Sequence, residues 1–470
     1  MPDKLLRRFN MVGIGVYMAS LLVVSCLFSS YALKPLWMAW GIGTALFFFG
    51  LSYVFYRQWK NEDPKRFLKK VFWVALGIRF LYIGGIIFYY YQQTGISLEY
   101  QAADSLTYHY VAGYLSDLAR QGRFKEILWK LRANTMGFSD QGYLLYLTSL
   151  YTVFGKNILG PRLLKALMSA YLCVVIYKLV SRSIGEKTAR LAAVMAMFLP
   201  HFIHYTGTYL KEMEMVFLAT LALERMDYLL RSKRYTFWNI FFPILLTAMT
   251  FGFRTIVGMT LIVSFMVFVA LGERELLSRK MRILVAGIVV LVAVVFMITP
   301  IGREMYFIMK LNWSGSGYLT EKYQRLGFKY AEYAHCKYLA PGAFTLPLTN
   351  LVEVANENQK MMNGTFFVKN YLAFFVLWSI VVAIREKKWR NLTLTGTYTV
   401  MYVLIIAFSF AVSSERYHFP AMPGFVMMSA FAMTHFRKKD FGWFYAYSAV
   451  LMVAIVAWNA IKLAGRGLFL

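Results

Sequence analysis

The sequence predicts an all-α polytopic membrane protein, with about 13 transmembrane helices and interfacial helices in a first large external loop. Three observations carry this. Of 470 residues 59% are hydrophobic and only 16% charged, too few charges to cover a soluble domain of that size. Apolar runs recur, each long enough for a ~30 Å hydrocarbon core, which takes roughly 20 helical residues. The Lys and Arg behind the net charge of +28 gather in short stretches between those runs, such as "RQWKNEDPKRFLKK", "SRSIGEKTAR", "REKKWR" and "HFRKKD". That is topogenic charge rather than a nucleic-acid surface, and it places those loops on the cytoplasmic side.

Taken in order, spans are expected at 11–31, 35–56 and 71–91, and the third emerges outside. The N-terminal stretch has the layout of a signal peptide, with Cys26 in a loose lipoprotein box. A second apolar run follows at once, so an uncleaved first helix is expected. Residues 92–159 hold amphipathic pieces too polar or too short to span, expected to lie along the interface. Further spans fall at 161–180, 190–209, 213–230, 237–253, 255–271 and 281–300. After an external stretch, 301–365, the last are expected at 366–384, 391–413, 418–435 and 441–462. This divides the chain into a two-helix hairpin (1–70), a catalytic membrane module (71–300), an external loop (301–365) and C-terminal helices (366–470). Both long hydrophilic segments fall on one face, where function is to be sought.

Cys26, Cys173 and Cys336 have no metal-ligand or disulfide spacing and read as packing residues. The six histidines are scattered, so no metal site is expected from them. Arg79 interrupts the third span, where a charge costs about 3 kcal/mol on insertion scales, so it is expected to face protein. Lys165, near the start of a span, is expected to face the headgroups. The basic residues Arg303, Lys310, Lys322, Arg325, Lys329 and Lys337, interleaved with tyrosines, suit a pyrophosphate, a sugar or an acidic lipid surface. Asn312 and Asn363 match a glycosylation pattern that matters only in a eukaryotic secretory pathway.

One stretch stands out for chemistry. In "ADSLTYHYVAGYLSDLARQG", Asp104, Tyr108 and Ala112 recur every four residues and so share one helical face. A carboxylate at a membrane exit can serve as general base, metal ligand or solvated loop residue. With this pattern the sequence resembles the C-type glycosyltransferases (GT-C), polytopic enzymes that take sugars from polyprenyl phosphates, especially their protein mannosyltransferase and aminoarabinose transferase branch. Three more stretches agree. "LYTVFGKNILGPRLLKALMSAYLCVVIYKLV" is similar to the family's interfacial helix and following span, "MTFGFRTIVG" to its Thr-Lys-Gly hairpin turn, and "SSERYHFPAMPGF" to its Arg-Tyr-x-x-Pro-x-x-Pro element. The sequence departs from the family in its two extra leading spans, in Asp104-Ser105 where an acidic pair is usual, and in "SDQGYLLYL" before the interfacial helix.

The resemblance implies an inverting transfer of a sugar from a polyprenyl-phosphate-linked donor to a lipid, glycan or protein acceptor, on the external face of a bacterial inner membrane. Asp104 would be the general base, with Asp140 and Tyr108 orienting acceptor or sugar. Arg254, Arg416 and Lys211 would hold the donor phosphate. No cofactor is required, and a divalent metal at Asp104 is compatible with the family. Partners are the donor, the acceptor and membrane lipids, not nucleic acid. Two other readings share the composition: a polymerase or ligase of polyprenyl-diphosphate-linked glycans relying on 301–365, and a transporter or flippase of lipid-linked sugars, which inverted repeats would signal.

Overall fold

The computed structural model describes residues 2–99, 103–134, 139–273, 276, 278–299, 302–303, 306–307, 321, 324–325, 327, 329, 339–353, 357–408 and 414–468. Lys310, Asn312, Lys322, His335, Cys336 and Lys337 lie outside them. The described chain is helical without a strand; one isolated bridge pairs Ala32 with Val352.

The helices are α1 (Pro2–Leu27), α2 (Pro35–Trp59), α3 (Pro64–Thr94), α4 (Ala103–Arg120), α5 (Phe124–Asn134), α6 (Gln141–Phe154) and α7 (Leu159–Ser183). Then come α8 (Glu186–Phe198), α9 (Pro200–Gly207), α10 (Glu212–Ser232), α11 (Phe237–Phe253), α12 (Thr255–Leu271) and α13 (Arg279–Ile298). The last are α14 (Glu357–Met361), α15 (Asn363–Arg385), α16 (Thr393–Ala407), α17 (Glu415–His418), α18 (Met422–Thr434) and α19 (Phe441–Ala464). Local chemistry sets their ends. Asp63 caps α3 by accepting from the backbone N–H groups of Lys65 and Arg66 at 3.0 and 3.2 Å, Pro64 takes the first helical position, and Gly95 stops the helix at φ 71°.

Among the described residues six helices, α1, α2, α3, α7, α15 and α19, are long and apolar enough to cross a membrane. Two shorter apolar helices, α11 and α12, coincide with the spans expected at 237–253 and 255–271, and the expected count of about 13 is not confirmed. Pro200 has no N–H to continue the ladder, so the span expected at 190–209 is two short helices, α8 and α9. The helices at 393–407 and 422–434 are likewise shorter than the apolar runs that contain them, and α10 carries six charged residues. Three amphipathic helices, α4, α5 and α6, occupy the first long hydrophilic segment.

The chain forms two compact units. One gathers residues 1–61, 297–392 and 399–470. Its core is α15, most of whose residues are buried. Asn363 on α15 accepts from the Tyr17 hydroxyl at 2.7 Å and donates to the Trp37 carbonyl at 2.9 Å, and Tyr371 donates to the Phe9 carbonyl at 2.5 Å. The leading hairpin is thus pinned to α15 by polar groups. Phe9 then sits among Phe375, Phe436 and Phe444, with ring centroids 4.9 to 5.2 Å apart, edge-on contacts that add to burial.

The other unit gathers residues 62–296 and 393–398, with α7 largely buried at its centre. Arg79 faces protein there, as expected. It donates to the Ser169 hydroxyl at 2.7 Å and to the Met197 and Ala196 carbonyls at 3.1 and 3.4 Å. Those carbonyls end α8, where Pro200 supplies no N–H, so the guanidinium satisfies acceptors that the helix break leaves exposed. Cys173 is buried beside it, whereas Cys26 is exposed and so is not the core packing residue its apolar context suggested.

Candidate functional site

The site is assembled in the second unit where α6, α7 and α10 begin and α11 ends. Two glycines allow it. A Cβ on Gly142 would lie 2.8 Å from the Gly252 carbonyl carbon, so only glycine lets the start of α6 touch the end of α11. The contact brings "SDQGY" against "MTFGFR".

Asp140 precedes α6 with φ 80°, in the left-handed region that costs most side chains free energy but that Asp tolerates. Its carboxylate does not cap α6. It pairs with Lys211, whose ammonium also donates to the Phe253 carbonyl at 2.7 Å. Glu212, fully buried, stands 3.8 Å from Arg254. Arg254 is the break between α11 and α12, its backbone extended while its carbonyl accepts from Val257 at 3.0 Å.

A second layer lies alongside. Lys165 is buried rather than facing headgroups, which corrects the expectation from sequence. Its ammonium donates to the Thr208 and Leu210 carbonyls at 2.8 and 2.5 Å and lies 3.4 Å from Glu214. Arg162 donates to the Ser97 carbonyl at 2.8 Å, stands 3.8 Å from Glu99 and covers the Tyr209 ring. Glu99 in turn accepts from the Tyr209 backbone N–H. Four cations, Arg162, Lys165, Lys211 and Arg254, therefore face four carboxylates, Glu99, Asp140, Glu212 and Glu214. Each charge has an opposite neighbour, without which burial would be prohibitive.

Asp104 is exposed in the first turn of α4. Tyr108, one turn on, is buried and packs edge-on against Tyr143 at 4.9 Å; Tyr143 meets Phe253 at 6.0 Å. Of the predicted face, Tyr108 and Ala112 are buried and Tyr108 meets the aromatic side of the cluster, while Asp104 at its end is exposed. His109 bonds the Tyr151 hydroxyl at 2.7 Å, and that hydroxyl bonds Tyr209, which locks α4 and α6 to the turn carrying Lys211. Burial, with the Lys156 charge nearby, lowers the pKa of His109 from its ordinary value. Arg416 belongs to the first unit. It is half-buried in α17 beside Glu415, whose carboxylate lies 3.3 Å from buried Lys369.

Sequence reasoning picked out Asp104, Tyr108, Asp140, Lys211 and Arg254, and the fold gathers these in one unit. It passed over Glu99, Tyr143, Gly142 and Glu214. The last stands in "YLKEMEM", where a second acid two residues after Glu212 was the available signal. Among the described residues no three His, Cys, Asp or Glu side chains stand close enough to ligate a metal.

Residues 143–298 match the family described as dolichyl-phosphate-mannose-protein mannosyltransferase, roughly a third of the chain. A similar solved structure is the archaeal oligosaccharyltransferase AglB from Archaeoglobus fulgidus, in complex with an inhibitory peptide and a dolichol-phosphate. The likeness has 12% identity and a TM-score of 0.47, over 88% of this chain and 56% of that one, so the chain spans little more than half of AglB's length. No curated protein matches the chain significantly. By its apolar helices and by the family match over residues 143–298, the chain is an integral membrane protein similar to the C-type glycosyltransferases. Within that class, its segment 143–298 is similar to the protein mannosyltransferases.

Proposed function

We propose that the protein is an inverting glycosyltransferase that moves a sugar from a polyprenyl-phosphate donor to a lipid, glycan or protein acceptor at the external face of a bacterial inner membrane. One observation supports this most. The segment similar to the mannosyltransferases is the one that supplies Lys165, Lys211, Glu212, Glu214 and Arg254 to a buried, charge-balanced cluster beside the helix of Asp104.

In this reading an acceptor hydroxyl or amine attacks the sugar's anomeric carbon from the side opposite the phosphate. Asp104 takes the acceptor's proton as the new bond forms, and the bond from the anomeric carbon to the phosphate oxygen breaks with its electron pair leaving on the phosphate. Arg254 and Lys211 stabilise the charge that develops there. At rest Glu212 and Asp140 balance those cations, which keeps them buried and charged until the phosphate competes for the same donors. Arg416 is assigned to the donor phosphate by its Arg-Tyr-x-x-Pro-x-x-Pro motif. Asp140 and Tyr108 orient sugar or acceptor, and no cofactor is needed for the step.

The test is mass spectrometry of lipids and surface glycans from a strain lacking the gene. A polyprenyl-phosphate sugar should accumulate while one glycan, glycolipid or glycoprotein loses a sugar residue. Unchanged lipid-linked sugars together with unchanged glycans would reject the reading.

A further inference from the structure

Two ends of α10 treat buried carboxylates differently. At its C-terminal half Glu224 accepts from Arg182 at 2.8 Å and from Arg225 at 2.5 Å, and Asp227 accepts from Arg182 at 3.0 Å and from Arg231 at 2.6 Å. Both acids are thus saturated by guanidinium donors. Glu214, at the other end, is as deeply buried, 1% exposed, yet neither of its oxygens meets a donor in well-formed hydrogen-bond geometry. Its cation, Lys165, stands at 3.4 Å and gives its short bonds to the Thr208 and Leu210 carbonyls. The Tyr143 hydroxyl, wholly buried, and the Tyr146 hydroxyl also lack partners, and both feel the charge of Glu214. Buried polar groups are nearly always bonded, and leaving one unmade costs about 1–3 kcal/mol, so three together mark a place built for a partner.

Resting on the donor reading above, we propose that Glu214, Tyr143 and Lys165 form the subsite that reads the hydroxyls of the donor's sugar. The chemistry selects that class of ligand. An anion would be repelled by Glu214, and a metal would find too few ligands. A neutral polyol brings hydroxyls that donate to the carboxylate, accept from Lys165 and exchange bonds with the tyrosines. The Tyr143 and Tyr146 rings stack 6.1 Å apart at 26°, with half-buried Tyr146 outermost, which offers the flat apolar face a sugar ring needs. Lys211, one turn before Glu214, supplies the phosphate end, and Tyr108 joins Tyr143 to the helix of Asp104. Glu214 is a specificity residue, acting on sugar hydroxyls away from the reacting carbon.

The experiment measures binding of short-chain probes to the purified full-length protein in nanodiscs. The probes are a bare prenyl phosphate and the same lipid phosphate carrying mannose, glucose, galactose or aminoarabinose. Wild-type protein should prefer one sugar-bearing probe over the bare one. Glu214→Gln and Tyr143→Phe should each cut that preference, read as the ratio of sugar-bearing to bare-probe affinity for the same variant, by about tenfold or more, as loss of a hydrogen bond to a charged group does. One monodeoxy form of the preferred probe should bind wild type as weakly as the full sugar binds Glu214→Gln. A preference that survives both substitutions, or its absence with every sugar, would overturn the subsite. Failure of wild type to bind even the bare prenyl phosphate would instead overturn the donor reading, and the subsite with it. Tyr143→Phe removes a single oxygen, so it keeps the test open if Glu214→Gln does not fold.

Discussion

Arg254 illustrates what a single residue can and cannot show in a sequence. Its place in "MTFGFRTIVG" marks a turn between apolar runs, but the same place suits an arginine that reaches for the interface. The fold buries it, 9% exposed, against Glu212, which no local pattern discloses. Asp140 and Lys211 were likewise visible as separate charges, whereas their pairing depends on two loops meeting across the unit. If Arg254 and Arg416 hold the donor phosphate, replacing either with Ala should weaken donor use by roughly 1.5–3 kcal/mol, the value of a charge-assisted contact, and spare acceptor use. Titrating the donor at fixed acceptor in nanodiscs checks this. Wild-type donor dependence in both variants would move the phosphate site elsewhere.

Helices were legible where length and apolarity agreed. The helices α3, α7 and α15 fall close to the expected spans because an uninterrupted apolar run of that length has no other stable form in lipid. Legibility failed where the apolar run continued through a break, as at Pro200. It failed too at Gly142, a residue with no periodicity of its own, whose role is set by what it touches. The contact of α6 with α11 can be tested directly. Gly142→Ala places a Cβ 2.8 Å from backbone at Gly252, so α6 must shift, and stability should fall by about 1–3 kcal/mol, as for an overpacked core. Gly160→Ala, with open space around its Cβ, should be neutral or slightly stabilising. Equal melting temperatures for the two variants would mean that the glycine contact does not hold the helices.

At the scale of the whole molecule, the basic loops require an orientation as well as a fold. The reading places Gln58 inside and Ser139, next to Asp140, outside, because Lys and Arg crowd the loops expected in the cytoplasm. In a background with the three native cysteines replaced by Ser, an impermeant thiol reagent applied to intact cells should label a Cys at Ser139 and spare one at Gln58. The reverse pattern would detach the carboxylates from an externally presented donor. The central claim is that this membrane protein transfers a sugar with Asp104 as its base, and single-turnover transfer by Asp104→Asn tests it most directly. The donor is the one that accumulates in the deletion strain, supplied to protein in nanodiscs. The variant should fold and bind donor like wild type yet lose about 10²- to 10⁴-fold in rate, the usual effect of removing a general base, while Tyr108→Phe loses far less. Transfer by Asp104→Asn at near the wild-type rate would contradict the account and make Asp140 the next carboxylate to replace.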